Sequence, residues 1–382
     1  MTTTEADPRV SPGPDPRETV TLFVCGDVMT GRGIDQVFAR RVAPHLFESH
    51  VRDARTYVEL AENAHGPIPA PVDHAYVWGN ALEELERVKP DLRWVNLETA
   101  VTIHEDAWPG KAIHYRMHPA NVGCLSAAGL DACGLANNHA LDWGRAGLTE
   151  TLETLHRAGI RTAGAGANLD EARAPVVRQM AGGRVLVFAC GSETSGIPGS
   201  WAATADRSGV DLLPDLSVAT ASELSARIRA ARRARDLVIV SIHWGRNWGY
   251  SIPPAQREFA HRLIDEEAVH LIHGHSSHHP RGIEVYRGRA ILYGCGDFLT
   301  DYEGISGYEE FRGDLALMYF PVLDAVSGRL VRIDMTPLRH RRFRLERAPA
   351  GDVRWLADVL DGESRPLGGR VRLMDDGRLR LA

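Results

Sequence analysis

Apolar residues along this chain fall in short runs separated by stretches with helical spacing. Thr19–Cys25 (TVTLFVC) is β-rich and breaks at Gly26-Asp27, and Leu92–Leu97 is a second strand-like run, leading into Glu98. Between them, Asn80–Val88 carries its apolar residues at the period of a helix. Further on, the pattern predicts a short helix over 119–128 and a strand over 132–136 that ends at Asn137-Asn138-His139. A helix over 145–158, stopped by Gly159, and a short strand over 160–163 follow. Runs 176–179 and 184–189, joined by Gly182-Gly183, read as a hairpin. A long helix over 217–234 with an arginine-rich last turn precedes a strand over 237–242 ending at His243, then a helix over 254–267. Next come a histidine-bearing strand, a hairpin pair (Ile283–Tyr286 and 290–293) and strands around 315–322 and 330–335. The tail predicts a helix over 353–360 and a hairpin turning at Asp375-Asp376-Gly377. Residues 45–77, with Pro67, Pro69 and Pro71, read as a long loop of the kind that forms lids or binding elements.

Such alternation, with a late antiparallel section, is the signature of α/β architecture. The chain has 382 residues, enough to bury a large core, and 44% hydrophobic and 25% charged residues are ordinary for a globular protein. The net charge of -6 argues against a nucleic-acid surface. The five cysteines are scattered, with no CxxC pair, and read as small buried residues in a reducing compartment. No run is long enough to span a bilayer, and residues 1–18 read as a disordered leader. A cytoplasmic protein without a membrane partner is expected.

The candidate chemistry sits where strands end. Residues 270–279 hold five histidines in ten positions, starting from an apolar run that a solvated tag would not need. Imidazole is the commonest protein ligand for first-row metals. Asp27, Glu98, Asn138-His139, His243 and His275 each fall at the carboxyl end of a predicted strand, where open α/β sheets place their sites. Taken singly, each has an ordinary reading as a cap, turn or packed residue. Five at strand ends point to one shared site.

These residues bring a family with them. Gly26-Asp27-Val28-Met29-Thr30-Gly31-Arg32, Asn96-Leu97-Glu98-Thr99 and the block from Leu135 through Asn137-Asn138-His139 to Gly144 resemble motifs of the CapA proteins of poly-γ-glutamate capsule synthesis. So do Gly164-Ala165-Gly166-Ala167-Asn168, Gly274-His275-Ser276-Ser277-His278 and Tyr293-Gly294-Cys295-Gly296-Asp297-Phe298. The resemblance covers residues 22–337. That family is similar in turn to the calcineurin-like metallophosphoesterases, which implies a two-sheet sandwich flanked by helices, in four αββα layers. The implied domain spans 19–338, with 339–382 an extension packed on it. By the same resemblance Asp27, Glu98, Asn138, His243, His275 and His278 are metal ligands for two divalent ions (Mn, Fe or Zn), with Glu98 as the bridge. Asn138, His243 and His275 would serve one metal, Asp27 and His278 the other. His139 is the implied proton donor or substrate polariser. Arg32 either holds a substrate carboxylate or phosphate or forms a surface salt bridge.

The chain departs from the pattern in three respects. Met29 stands where the phosphoesterases carry a histidine, and a thioether is a poor ligand for these cations. Ser277 replaces a proline, and Asp297 an asparagine, so Asp297 either adds a carboxylate to the site or caps a turn. Finally, no N-terminal anchor of the capsule-export kind is expected. The expectation is a soluble metal-dependent enzyme acting at an amide or γ-glutamyl bond of a small peptide-like substrate. A phosphoesterase and a non-catalytic partner in a biosynthetic complex are the alternatives. Trp244 and Trp248 either wall a substrate cleft or pack in the core. The basic run 339–347 is expected to be a solvated strand or an oligomer contact.

Overall fold

The computed structural model describes residues 18–180 and 182–381; the expected leader lies outside these except for Glu18. Thr19–Cys25 is the seam of the first sheet. It pairs in parallel with Leu92–Leu97 on one side (Leu22 opposite Leu92) and antiparallel with Leu315–Asp324 on the other. Ala132–Gly134 and Arg161–Ala163 extend the parallel side, while Leu330–Arg341, Leu379–Leu381 and Val371–Leu373 extend the antiparallel side. The second sheet has a parallel centre, Gly183–Ser192, Asp236–His243, Leu271–His275 and Arg289–Leu292. Val176–Met180 and Ile283–Tyr286 join it antiparallel.

Strand alternation builds the layers. Val185, Val187 and Ala189 face the first sheet and pack with Leu22, Trp94 and Leu317 in the inter-sheet core. Their neighbours Leu186, Phe188 and Cys190 face outward, under helices Val218–Ala231 and Pro254–Asp265. Beyond the first sheet, Tyr57, Leu85, Cys124 and Leu148, from four separate helices, cover Phe23, Val95 and Cys133. The result is the expected four-layer α/β sandwich, with two sheets inside and helices outside.

Most expected elements form within a residue or two of their predicted ends. The exception is the stretch read as a long loop: it contains the helix Arg55–His65, whose Tyr57 and Ala61 are buried. Its flanking prolines dominated the sequence pattern and hid it. The strand Leu330–Arg341 runs through the expected boundary at 338, and helix Ala350–Ser364 places Val353, Leu356 and Leu360 in the inter-sheet core. All five cysteines are buried and unpaired. Among the described residues, no helix is long and apolar enough to cross a membrane.

One close approach sets the position of the strand ends. The Asp27 backbone N–H donates to Gly296 O at 2.9 Å, and a Cβ on Gly26 would lie 1.7 Å from that same oxygen. Gly26→Ala is therefore expected to destabilise by about 1–3 kcal/mol or more, because backbone cannot yield as a flexible side chain can. Gly351→Ala, in a helix with nothing within 4 Å of the new methyl, is expected to be neutral or slightly stabilising. Urea unfolding of both variants checks this; equal midpoints would overturn it.

Candidate metal centre

The parallel pairing of Asp236–His243 with Leu271–His275 sets Ser241 opposite His273 and His243 opposite His275. All four are buried. Strand periodicity thus brings a hydroxyl–imidazole row and an imidazole–imidazole row to one sheet end.

Hydrogen bonds assign the protons. His273 Nε2 lies 2.7 Å from Cys25 O, a carbonyl that can only accept, so His273 carries its proton on Nε2. Its bare Nδ1, 3.0 Å from Ser241 Oγ, must then accept the Ser241 hydroxyl proton. Trp94 Nε1 donates to Ser241 Oγ at 3.1 Å, and His275 Nε2 is 3.0 Å from it. With the hydroxyl proton committed, His275 Nε2–H donates to Ser241, which leaves His275 Nδ1 as a lone pair. His243 Nε2 donates to Asn138 Oδ1 at 2.8 Å, leaving its Nδ1 bare as well. These two lone pairs face each other at 2.8 Å, and lie 3.9 Å (His243) and 3.8 Å (His275) from Asp27 Oδ1. Burial pushes both imidazoles well below their ordinary pKa, so they are neutral. Such a convergence is repulsive unless a cation sits among the three groups.

The carboxylates lead to the same conclusion. Asp27 is fully buried; burial, then the charge of Asp297, raises its pKa to about 7. Burial, then Asp27, pushes Glu98 well above the carboxylate range, and its Oε2 has no hydrogen-bond partner. Two adjacent buried carboxyl groups must share either a proton or a cation. Asp27 is fixed by Asn96 Nδ2 at 2.7 Å and by the Ser276 N–H at 3.0 Å. Ser276 holds φ at +99°, an unfavourable conformation outside glycine that costs about 1–3 kcal/mol and turns its N–H onto the aspartate. Neutral imidazoles with carboxylate oxygens form a donor set suited to Mn, Fe or Zn.

The remaining expected ligands take different places. Glu98 Oε1 is 3.8 Å from His243 Nε2. Asn138 reaches the centre through its contact with His243. His278 stands apart from the three-residue cluster: its Nδ1 is 2.8 Å from Asp297 Oδ1, and its Nε2 is 2.9 Å from Asn247 Nδ2. Burial opposes protonation of His278, but Asp297 outweighs it and raises the pKa. Asp297 is thus buried inside the site, with Oδ2 lacking a partner. The close grouping joins Asp27, instead of Glu98, to His243 and His275, which differs from the implied division between two metals. Trp244 is core, stacked on Tyr293, whereas Trp248 stacks on Tyr308 at the wall of a cavity.

Arg32 makes neither a surface bridge nor an open clamp. It is buried with φ +46°, its Nε and Nη2 on Asp301 (3.1 and 2.5 Å) and its Nη1 on Glu48 (2.8 Å). Its guanidinium also lies 3.9 Å from the ring centre of Tyr57 and 4.6 Å from that of Tyr115.

His139 stands beside the cluster, its Nε2 3.7 Å from Glu98 Oε1. Its Nδ1 is 2.6 Å from Asp142 Oδ2. Asp142 also accepts from Lys111 Nζ at 2.5 Å and from the Tyr115 N–H at 2.6 Å. Despite full burial, the neighbouring His139, through its hydrogen bond, and the Lys111 charge keep its pKa low, so Asp142 is an anion that only accepts. Nδ1 therefore carries a proton, and Nε2 offers its lone pair to the chamber. Burial is the main cause lowering the His139 pKa to about 4. Sequence reasoning had assigned no role to Asp142, Lys111, Ser241, Asn96 or Asn247. One signal was available: Lys111 is one of only two lysines among 44 basic residues.

Fold and centre together define a four-layer α/β protein with a buried carboxylate–imidazole cluster able to hold a cation. The chain matches the bacterial capsule synthesis protein family PGA_cap over residues 21–302. It belongs to that family, the CapA family. It is 47% identical over 366 residues to a Mycobacterium tuberculosis protein described as a probable polyglutamine synthesis accessory protein, covering 95% of this chain and 96% of that one. To the PGA biosynthesis protein CapA of Bacillus subtilis it is 28% identical, covering 84% of this chain and 72% of the relative. Among solved structures, a chain described as a novel phosphatase from Mycoplasma pneumoniae aligns with a TM-score of 0.44 at 13% identity, over 88% of this chain and 96% of that one. A hypothetical protein from Thermus thermophilus aligns with a TM-score of 0.43 at 16% identity, over 84% and 100%.

Ser241→Ala removes the acceptor that keeps the His275 proton on Nε2. It is expected to weaken metal affinity about 10- to 100-fold, as loss of an outer hydrogen bond typically does. Titrating chelator-treated protein with Mn, Fe or Zn by calorimetry checks it. An unchanged affinity would remove Ser241 from the centre.

Proposed function

We propose that this protein is a metal-dependent hydrolase or acyl-transfer enzyme acting at an amide or γ-glutamyl bond of a small peptide-like molecule. The observation that carries the reading is the Asp142–His139 pair, with Nε2 turned toward Glu98 beside the Asp27, His243 and His275 cluster. A centre that only held a metal for structure would have no use for an imidazole oriented by a buried carboxylate next to it.

Asp27, His243 and His275 would hold one ion, with Glu98 and Asn138 beside it; Glu98, His278 and Asp297 would form the second, weaker position. Bound there, divalent ions supply Lewis acidity and hydroxide at neutral pH. The chain's own residues do the rest. Asp142 keeps the His139 proton on Nδ1, so proton exchange runs through Nε2, which accepts first and donates once loaded. Lys111 neutralises Asp142 and, adding its charge to the larger effect of burial, keeps His139 from taking a second proton at rest. A phosphoester is the competing substrate class, and a parallel screen of phosphoesters and γ-glutamyl amides on the metal-loaded protein separates the two.

His139→Ala is expected to keep its metal and lose turnover by about 100- to 10,000-fold. Loss of metal from this variant, but not from a remote surface variant, would make His139 a ligand instead. Unequal occupancy is also expected: one ion retained through dialysis, and one that must be returned for full activity. Two ions bound with equal tightness, and no activation on adding more, would overturn the reading of Glu98, His278 and Asp297 as a weaker position.

A further inference from the structure

Next to the small chamber of about 160 Å³ at the centre lies a cavity of about 550 Å³. The two share Ile113, Asn247, His278 and Tyr302, so a molecule held at the centre extends into the larger space. One wall is aromatic: Trp248 and Tyr308 lie face to face, centroids 4.0 Å apart, and Tyr308 is half exposed.

The charges around this cavity are one-sided. Four carboxylates line it, Glu48, Glu303, Glu309 and Asp314. The two guanidiniums in the lining are already occupied: Arg32 by Asp301 and Glu48, Arg312 by Asp314 and Asp352. His65 is turned onto Glu303. His278, which also lines the cavity, is held by Asp297 at 2.8 Å, so an anion entering here would meet carboxylates and no cation free of a carboxylate partner. Hydrogen-bonding capacity points the same way. His340 donates from Nε2 to Phe298 O at 2.9 Å, which leaves its Nδ1 an acceptor without a partner. Thr300 Oγ1 also has none, and both residues are buried in the lining. An unpaired imidazole acceptor, a hydroxyl able to accept, excess carboxylates and an aromatic face together suit a positively charged donor.

From this we infer that the large cavity seats a primary ammonium group of the substrate, so that the molecule presented to the metal centre is an amine-bearing amide or ester and not an acidic γ-glutamyl chain. The position of the reacting bond rests on the function proposed above; the ammonium seat is tested without it. The probes are cadaverine and glutarate, five-carbon molecules ending in two ammonium and two carboxylate groups respectively. Both are titrated by calorimetry into metal-free full-length protein, so failure of catalysis does not enter.

Cadaverine is expected to bind at least ten times more tightly than glutarate. Tyr308→Ala should weaken it roughly 2- to 30-fold, the range of a cation–aromatic contact. Glu309→Gln should weaken it as well, and both side chains are exposed enough to be replaced without disturbing the core. Asp27→Asn, which breaks the cation cluster, should leave cadaverine binding unchanged. Glutarate binding more tightly, or neither probe binding, overturns the inference. Cadaverine lost with Asp27→Asn but kept with Tyr308→Ala would place the ammonium in the metal cluster and also overturn it.

Discussion

Two imidazole lone pairs held 2.8 Å apart beside a buried carboxylate are the constraint on which the rest of this structure depends. Left alone, they repel, and neither ring can relieve this by protonation because burial disfavours the charged form. What holds them is the parallel register of two central strands, backed by the relay from Cys25 O through His273 and Ser241. The relay crosses from the second sheet to the first. Packing of the two sheets therefore decides which nitrogen of His275 is free.

The first sheet supplies the acidic half under comparable constraint. Asp27 sits after a glycine that backbone contact forbids from changing, and it is held by Asn96 and by an N–H that a strained Ser276 turns onto it. Strain at a serine and carboxylates with unpaired oxygens are costs that a fold sustains where something compensates for them. A cation shared by Asp27, Glu98 and the two imidazoles would compensate for all of them at once.

Away from the centre the electrostatic design changes sign of purpose. Around the metal cluster, acids and imidazoles are left open; around the larger cavity, every guanidinium is paired with carboxylates. The buried Arg32, held this tightly, orders the wall by tying the segment after Thr300 to helix Arg55–His65 and its preceding loop, and it does not serve as an anion receptor. Membership of a capsule-synthesis family thus coexists with a cavity whose own charges do not suit a polyanion.

The order of strands and helices was legible in the chain, because periods of 2 and 3.6 residues report burial locally and need no partner to be known. So was the grouping of Asp27, His243 and His275, since polar residues that end apolar strands have few reasons to be there. Their division of labour was not legible. Arg32 left two readings open because Asp301 lies 269 positions away, and only the return of Asp297–Leu299 beside Asp27–Val28 brings them together. Ser241 reads as any strand serine until the register sets it opposite His273. Lys111 and Asp142 meet across a loop whose path no periodicity encodes. Local pattern determined which residues reach the strand ends. Register and sheet packing, which are long-range, decided which atoms face one another and which protons they carry.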